Sequence, residues 1–116
     1  HTRTTTYTGP VTAHATLGTL ATIPAATPLG RANVVGQFNA GRLVILRGTY
    51  TSGKTTATHY MLGTMYVTGA KNRVVADDPY TGRQVYIDAT TKAVVVPARF
   101  PLAHFKVDGY QPVTLQ

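Results

Sequence analysis

Short runs of apolar and β-branched residues, separated by glycine, proline and polar turn residues, dominate the sequence from residue 41 onward. The run RLVILRGTY at 42–50 is typical of a buried strand, and RQVYIDA at 83–89 alternates apolar with polar positions. Gly63 interrupts a further run and indicates a β-bulge. More strands are predicted in HYMLGTMYVTG at 59–69, NRVVADD at 72–78, KAVVVPA at 92–98 and the closing segment that ends in PVTL. The pattern predicts a mainly β domain with an antiparallel sheet, sandwich or partial barrel.

The connections between these runs are short. Residues 70–72 and 89–91 are small and polar, which is typical of hairpin connections. One short helix is predicted at 32–39 (ANVVGQFN). No alternation of strands with helices is present, so a parallel sheet is not expected.

The first thirty residues have a different composition, with ten Thr, three Pro and almost no charge. We therefore divide the chain into a Thr-rich extended arm at 1–30 and a β-rich globular domain at 31–116. Two interpretations of the arm remain open. It is either a flexible lead-in or a strand-forming segment that pairs with this domain's sheet or with a neighbour's.

Composition narrows the classes of function. The chain has 11 Lys+Arg against 4 Asp+Glu, yet charged residues are only 13% of it, so the net charge of +7 reflects scarce acids. The basic residues form no cluster of five or more, which argues against a nucleic-acid partner. A Thr-rich surface with few charges favours an extracellular or cell-surface location, and the start at His1 without Met fits an exported protein.

Cysteine is absent, which excludes disulfides, thiolate metal sites and a cysteine nucleophile within these residues. The four histidines lack metal-ligand spacing, so we predict no metal and no cofactor. No apolar run is long enough to predict a membrane span.

The segment GTYTSGKT matches the phosphate-binding loop pattern G-x-x-x-x-G-K-[ST] and follows an apolar strand. In such a loop Lys54 contacts the outer phosphates and Thr55 ligates magnesium, while Gly48 and Gly53 let the backbone approach the phosphates. The following residues are rich in β-branched and aromatic side chains, whereas a phosphate-binding loop opens a helix. The alternative is a loop between two antiparallel strands, with Lys54 in solvent.

Three short sequence motifs follow one another from residue 41: GRLVIL, HYML at 59–62 and ADDPYTG at 76–82. Their order resembles the C-terminal half of papain-like cysteine peptidases that process bacteriocin leaders. There the catalytic histidine begins one strand and the next strand ends in Asp-Pro. The resemblance covers residues 39–96 and implies the strand half of a papain-like α+β fold. It implies that His59 is the general base and that Asp78 orients its ring.

The chain departs from that family where the nucleophile should lie. The family carries a cysteine on an early helix, preceded by a glutamine, whereas here the early region holds only Gln37 and no cysteine. We therefore interpret His59 and Asp78 as a vestigial pair, a strand-end histidine bonded to an aspartate. The alternative is that a separate N-terminal piece supplies the cysteine.

These observations lead to one first expectation and two alternatives. We expect a non-catalytic extracellular module, structural or self-associating, whose arm adds a strand to a neighbouring subunit and builds a filament. A protein or a cell-surface component is a further possible partner. The first alternative is a peptidase-like domain or fragment, a pseudoenzyme when alone, whose cysteine nucleophile lies outside this chain. The second is a nucleotide binder that uses the loop at 48–55.

Overall fold

The computed structural model describes residues 15–79, 81–95 and 105–115, without the side chains of residues 51 and 52. The first part of the predicted arm and the end of the strand predicted at 92–98 lie outside these ranges. His1, His14 and His104 lie outside them as well.

The described chain is mainly β, as predicted, with a single short helix. Its sheet is entirely antiparallel and runs in the order β1-β8-β3-β4-β5-β6-β7, with β2 also paired to β8. The elements are β1 (Ala15–Leu17), β2 (Ala21–Thr22), α1 (Val34–Asn39), β3 (Leu43–Ser52), β4 (Thr55–Val67), β5 (Arg73–Asp78), β6 (Arg83–Asp88), β7 (Val94–Val95) and β8 (Lys106–Leu115). The predicted bulge is confirmed, because the β4–β5 register shifts between Gly63 and Met65.

The sheet is open but strongly curled. An isolated bridge joins Ala93 to Lys106, and the Val107 N–H donates to the Lys92 carbonyl at 2.9 Å. The end of the sheet near β7 is thereby brought back to the start of β8. Of the three architectures left open by the sequence, this single curled sheet is closest to a partial barrel.

Helix α1 lies where the sequence predicts a helix, and Asn33 fixes its start. The Asn33 side-chain oxygen accepts from the N–H groups of Gly30 and Val34, at 2.9 and 2.7 Å, and its amide donates to the Pro28 carbonyl. The bond from Val34 satisfies one of the N–H groups that a helix start otherwise leaves unpaired, and the other two hold the preceding turn. Val34 is fully buried, so the helix covers the core on the concave face of the sheet. Within the described ranges, no helix has the length and apolar character needed to cross a lipid bilayer.

The described part of the predicted arm, residues 15–30, belongs to the sheet and its core. Strands β1 and β2 pair with β8, and the Ile23 N–H donates to the Asp108 carbonyl at 2.8 Å. Ile23 and Leu29 are buried in the same hydrophobic core as the strands. Of the two interpretations of the arm, this part therefore follows the second, and it pairs with its own domain.

Lys92 also binds this segment. Its side chain is buried, with the residue 5% exposed, and its Nζ donates to the carbonyls of Pro24 and Ala25 at 2.8 and 3.1 Å. The residue has a φ of 63°, the left-handed conformation that non-glycine residues rarely adopt. The tight connection between β6 and β7 thus places the Lys92 amine within hydrogen-bond distance of the segment that follows β2.

A candidate catalytic histidine–aspartate pair

His59 and Asp78 meet on the concave face of the sheet, as the sequence predicts. Leu62 on β4 is the register partner of Asp77 on β5, which places Asp78 opposite Met61. His59 lies two residues from Met61 and so is the diagonal neighbour of Asp78 on the same face, within reach of its side chain. The resulting distance from His59 Nε2 to Asp78 Oδ1 is 2.7 Å.

One detail of the prediction is wrong. His59 does not open its strand, because β4 begins at Thr55 and pairs with β3 along its whole first half. The pair forms nevertheless, because β5 ends opposite the middle of β4.

Asp78 is held by the turn that follows it. The Thr81 hydroxyl donates to Asp78 Oδ2 at 2.9 Å, and the Gly82 N–H donates to the Asp78 carbonyl at 2.8 Å. The Asp78 side chain is completely buried, and the His59 side chain is 14% exposed. A buried carboxylate needs such partners, since its desolvation is otherwise costly. Both carboxylate oxygens are therefore engaged, and the orientation of the carboxylate is fixed.

The arrangement assigns different tasks to the two imidazole nitrogens. A carboxylate accepts hydrogen bonds, so Nε2 carries the proton that faces Asp78. In a neutral ring the lone pair then resides on Nδ1. A base role therefore falls to Nδ1, with Asp78 stabilising the imidazolium that forms when Nδ1 takes up a proton.

Aromatic rings of the described residues lie against the imidazole. The Phe105 ring centroid lies 5.9 Å from that of His59 with the planes at 89°, and that of Tyr50 lies 6.3 Å away at 87°. Both are edge-to-face contacts of the kind that aromatic rings prefer. Gly48 is the register partner of His59 on β3, and its lack of a side chain leaves room for Phe105. The histidine therefore contacts two aromatic edges and the buried Asp78 carboxylate.

The residues of the phosphate-loop pattern have another arrangement. Gly48 lies within β3, and Thr55 begins β4 and pairs with Ser52. Gly53 and Lys54 form the two-residue turn between them, with a φ of 63° at Gly53, as the first position of a type II′ hairpin requires. Lys54 is exposed. The segment is a hairpin turn rather than the entry to a helix, which agrees with the alternative stated above.

Elsewhere the charges form structural contacts. Arg47 Nε contacts Asp108 Oδ1 at 2.8 Å. Arg73 stacks over Tyr86 at 5.1 Å from its ring centroid, and its buried Nε has no hydrogen-bond partner among the described residues. Across the described ranges, no group of three or more histidine or acidic side chains is placed to hold a metal ion.

Sequence reasoning did not find Phe105, Tyr50 and Thr81 as neighbours of the pair. A signal existed for Thr81, because a hydroxyl three residues after an aspartate in an Asp-Pro turn commonly bonds back to that aspartate. Phe105 gave no local signal, since its position depends on the pairing of β8 with β3.

Comparison with known proteins adds no further constraint, since no family model, curated protein or solved structure matches this chain. The likeness to papain-like peptidases therefore rests on the three short sequence motifs, and family membership is a hypothesis.

Proposed function

We propose that this chain provides the histidine–aspartate half of a papain-like hydrolytic site, completed by a cysteine that lies outside this sequence. The observation that carries the proposal is the 2.7 Å contact between His59 Nε2 and the buried Asp78 carboxylate. A histidine oriented in this way by a third group is the arrangement that activates a weak nucleophile. The order of the three short sequence motifs around His59 and Asp78 supports the same proposal.

In this function His59 Nδ1 takes the thiol proton, and the thiolate adds to the carbonyl carbon of a peptide bond. The imidazolium then returns the proton to the leaving amine, which gives a thioester that water hydrolyses with the same base. Asp78 remains ionised throughout and stabilises the charged ring. The chain alone, without cysteine, has no peptidase activity by this route.

The test is to express residues 1–116 together with the coding sequence that adjoins them in the gene. The rate of alkylation of each cysteine by iodoacetamide is measured at neutral pH. A cysteine activated by His59 should react on the order of a hundredfold more slowly in His59→Ala, because the thiolate loses its counter-ion. The alkylation rate in Asp78→Asn should lie between the rates in the wild type and in His59→Ala.

The matched control is Asp77→Asn, since Asp77 is the neighbouring acid on the exposed face of β5. It should leave the alkylation rate unchanged. The proposal is wrong if no cysteine of the longer protein, or of a chain that co-purifies with it, reacts in a manner that depends on His59.

A different observation favours a second function, self-association. Strands β1 and β2 already complete the edge of β8 by antiparallel pairing within the chain. The same pairing between two copies would exchange the segment 15–22, which is a low-cost route to oligomers. Leu17 and Leu115 are both 57% exposed at this edge, which supports an apolar contact there. Such a module would suit an extracellular or cell-surface location, in line with the Thr-rich, weakly charged composition.

Light scattering tests this second function. The chain should form oligomers whose mass falls to that of a monomer when residues 1–22 are removed. The double variant Leu17→Ser, Leu115→Ser is the control that keeps the strands but removes the apolar contact. A chain that is monomeric at every concentration measured would exclude self-association.

A further inference from the structure

We propose that Phe105 is a positioning residue for His59, and that the absence of a side chain at Gly48 lets its ring reach the imidazole. The inference rests on the proposed function, since it concerns how the base of that site is held. Phe105 takes no part in proton transfer itself and acts only through the imidazole.

Rotation about χ2 of histidine is broad, so the packing around the imidazole matters for its orientation as well as its hydrogen bond to Asp78. Phe105 is fully buried and immediately precedes β8, and its ring stands at 89° to the imidazole at a centroid distance of 5.9 Å. Tyr50 makes another edge-to-face contact with the imidazole. Both rings restrict rotation of the imidazole about χ2.

Gly48 makes the Phe105 contact possible. It is the register partner of both His59 on β4 and Val107 on β8. A Cβ at this position would meet the Lys106 backbone carbonyl oxygen first, and it would also lie 2.5 Å from Phe105 Cζ and 2.6 Å from Cε1. The φ of Gly48 is not positive, so the glycine provides space and not an unusual backbone conformation.

The local bend of the sheet serves the same contact. The β3–β8 register shifts between Arg47 and Gly48, and Asp108 is the extra residue of this bulge. Arg47 Nε contacts the Asp108 carboxylate at 2.8 Å, and the Ile23 N–H binds the Asp108 carbonyl. The bulge is therefore held from both sides, just beyond the point where Phe105 meets the histidine.

A residue that merely fills the core would not control the His59 hydrogen bond, and this difference provides the test. The imidazole Nε2 proton bonded to Asp78 is observed by NMR at low field in the chain as it stands, and its exchange with water is measured. In Phe105→Leu, which keeps an apolar side chain in the core, exchange should accelerate about tenfold or more. The matched control is Phe38→Leu, which removes a ring that packs on the core from α1, and it should change the rate less than about twofold.

The readout remains decisive if Phe105→Leu does not fold. Tyr50→Leu removes the second ring, and its control is Tyr66→Leu, which lies roughly 20 Å along the same strand as His59. The inference is overturned if the folded ring variants keep the wild-type exchange rate, or if the controls accelerate exchange equally.

These experiments do not involve a nucleophile, so they separate the inference from the proposed function. Faster exchange of the Nε2 proton in Phe105→Leu supports the positioning role. If no cysteine of the same protein reacts at a rate that depends on His59, the hydrolytic function is removed. A reactive cysteine together with unchanged exchange in the ring variants supports the function and removes the positioning role. In an active complex, Phe105→Leu should lower kcat and leave KM nearly unchanged.

Discussion

Asp78 and Lys92 are both charged residues buried in this small domain, but their partners differ in kind. Asp78 contacts an ionisable ring and a hydroxyl, which can both change their hydrogen bonding when a proton moves. Among the described residues, the Lys92 amine bonds to the carbonyls of Pro24 and Ala25, which cannot. The comparison teaches that burial of a charge does not by itself indicate chemistry. The chemical nature of the partners decides whether a buried charge indicates a reactive site. By that criterion the candidate is the pair of His59 and Asp78, and not Lys92.

The largest effect on stability is expected at Asp78. Asp78→Ala leaves His59 without its carboxylate in a buried setting, and we expect a loss of about 3 kcal/mol in the free energy of unfolding. Urea unfolding followed by circular dichroism measures it. Asp77→Ala, the exposed neighbour, should change stability by less than about 0.5 kcal/mol. Equal effects of the two substitutions would show that the buried pair has no special role in the fold.

A somewhat smaller effect is expected at Lys92. Lys92→Met keeps the apolar stem but removes two hydrogen bonds from a charged donor, so the free energy of unfolding should fall by about 2 kcal/mol. The control Lys54→Met changes an exposed lysine in the β3–β4 turn and should have almost no effect. The cysteine reactivity proposed above should not depend on Lys92. If it does, the distinction between a structural and a chemical buried charge fails.

The smallest effect is expected at Asp88, a half-buried residue at the end of β6 that extends the comparison towards the surface. The Thr91 N–H bond lowers the pKa of Asp88 below its ordinary 3.8; the Thr90 N–H and Lys71 also lower it, and desolvation partly opposes them. A lowered folded-state pKa means that the stabilisation is present above 3.8 and is lost as the pH falls through the folded value. Because the carboxylate lies near the surface and is partly screened by solvent, we expect less than about 1 kcal/mol.

The measurement is the urea midpoint of the chain and of Asp88→Ala as the pH is lowered from about 5 to 2. The variant should lose less stability than the wild type over this range. Identical pH profiles would show that the bonds from Thr90 and Thr91 do not favour the ionised form.

The strands and the pair of His59 with Asp78 could be predicted because their signals are local. Alternation and β-branched residues mark β3 to β6, and Gly63 marks the bulge without any knowledge of neighbouring strands. The pairing of His59 with Asp78 could be predicted from the order of the short sequence motifs, since β4 and β5 are consecutive and joined by a short connection. The pattern does not predict the first four residues of β4, since the Thr-rich stretch before His59 resembles a loop, although it pairs with β3.

What could not be predicted depends on contacts between distant parts of the sequence. The place of β1 and β2 on β8 is such a case, because composition alone leaves open whether the arm pairs with this sheet, with a neighbour's or with neither. Lys92 gave no sign of burial, because its partners are backbone carbonyls that every residue possesses. Gly48 resembled part of a phosphate loop, and its steric role appears only when Phe105 is placed beside it.

The position of β8 in the sheet has a consequence for how the chain folds. This strand comes last in the sequence, yet it pairs with β1, β2 and β3 and is bridged to Ala93. Ala15 pairs with Leu115, so the contact closes a loop of nearly the whole sequence. Such non-local pairing slows folding to about milliseconds or longer, since loop entropy is lost before contacts compensate. During synthesis, the hairpins of β3 to β6 must therefore wait on the ribosome with an uncovered edge until β8 emerges.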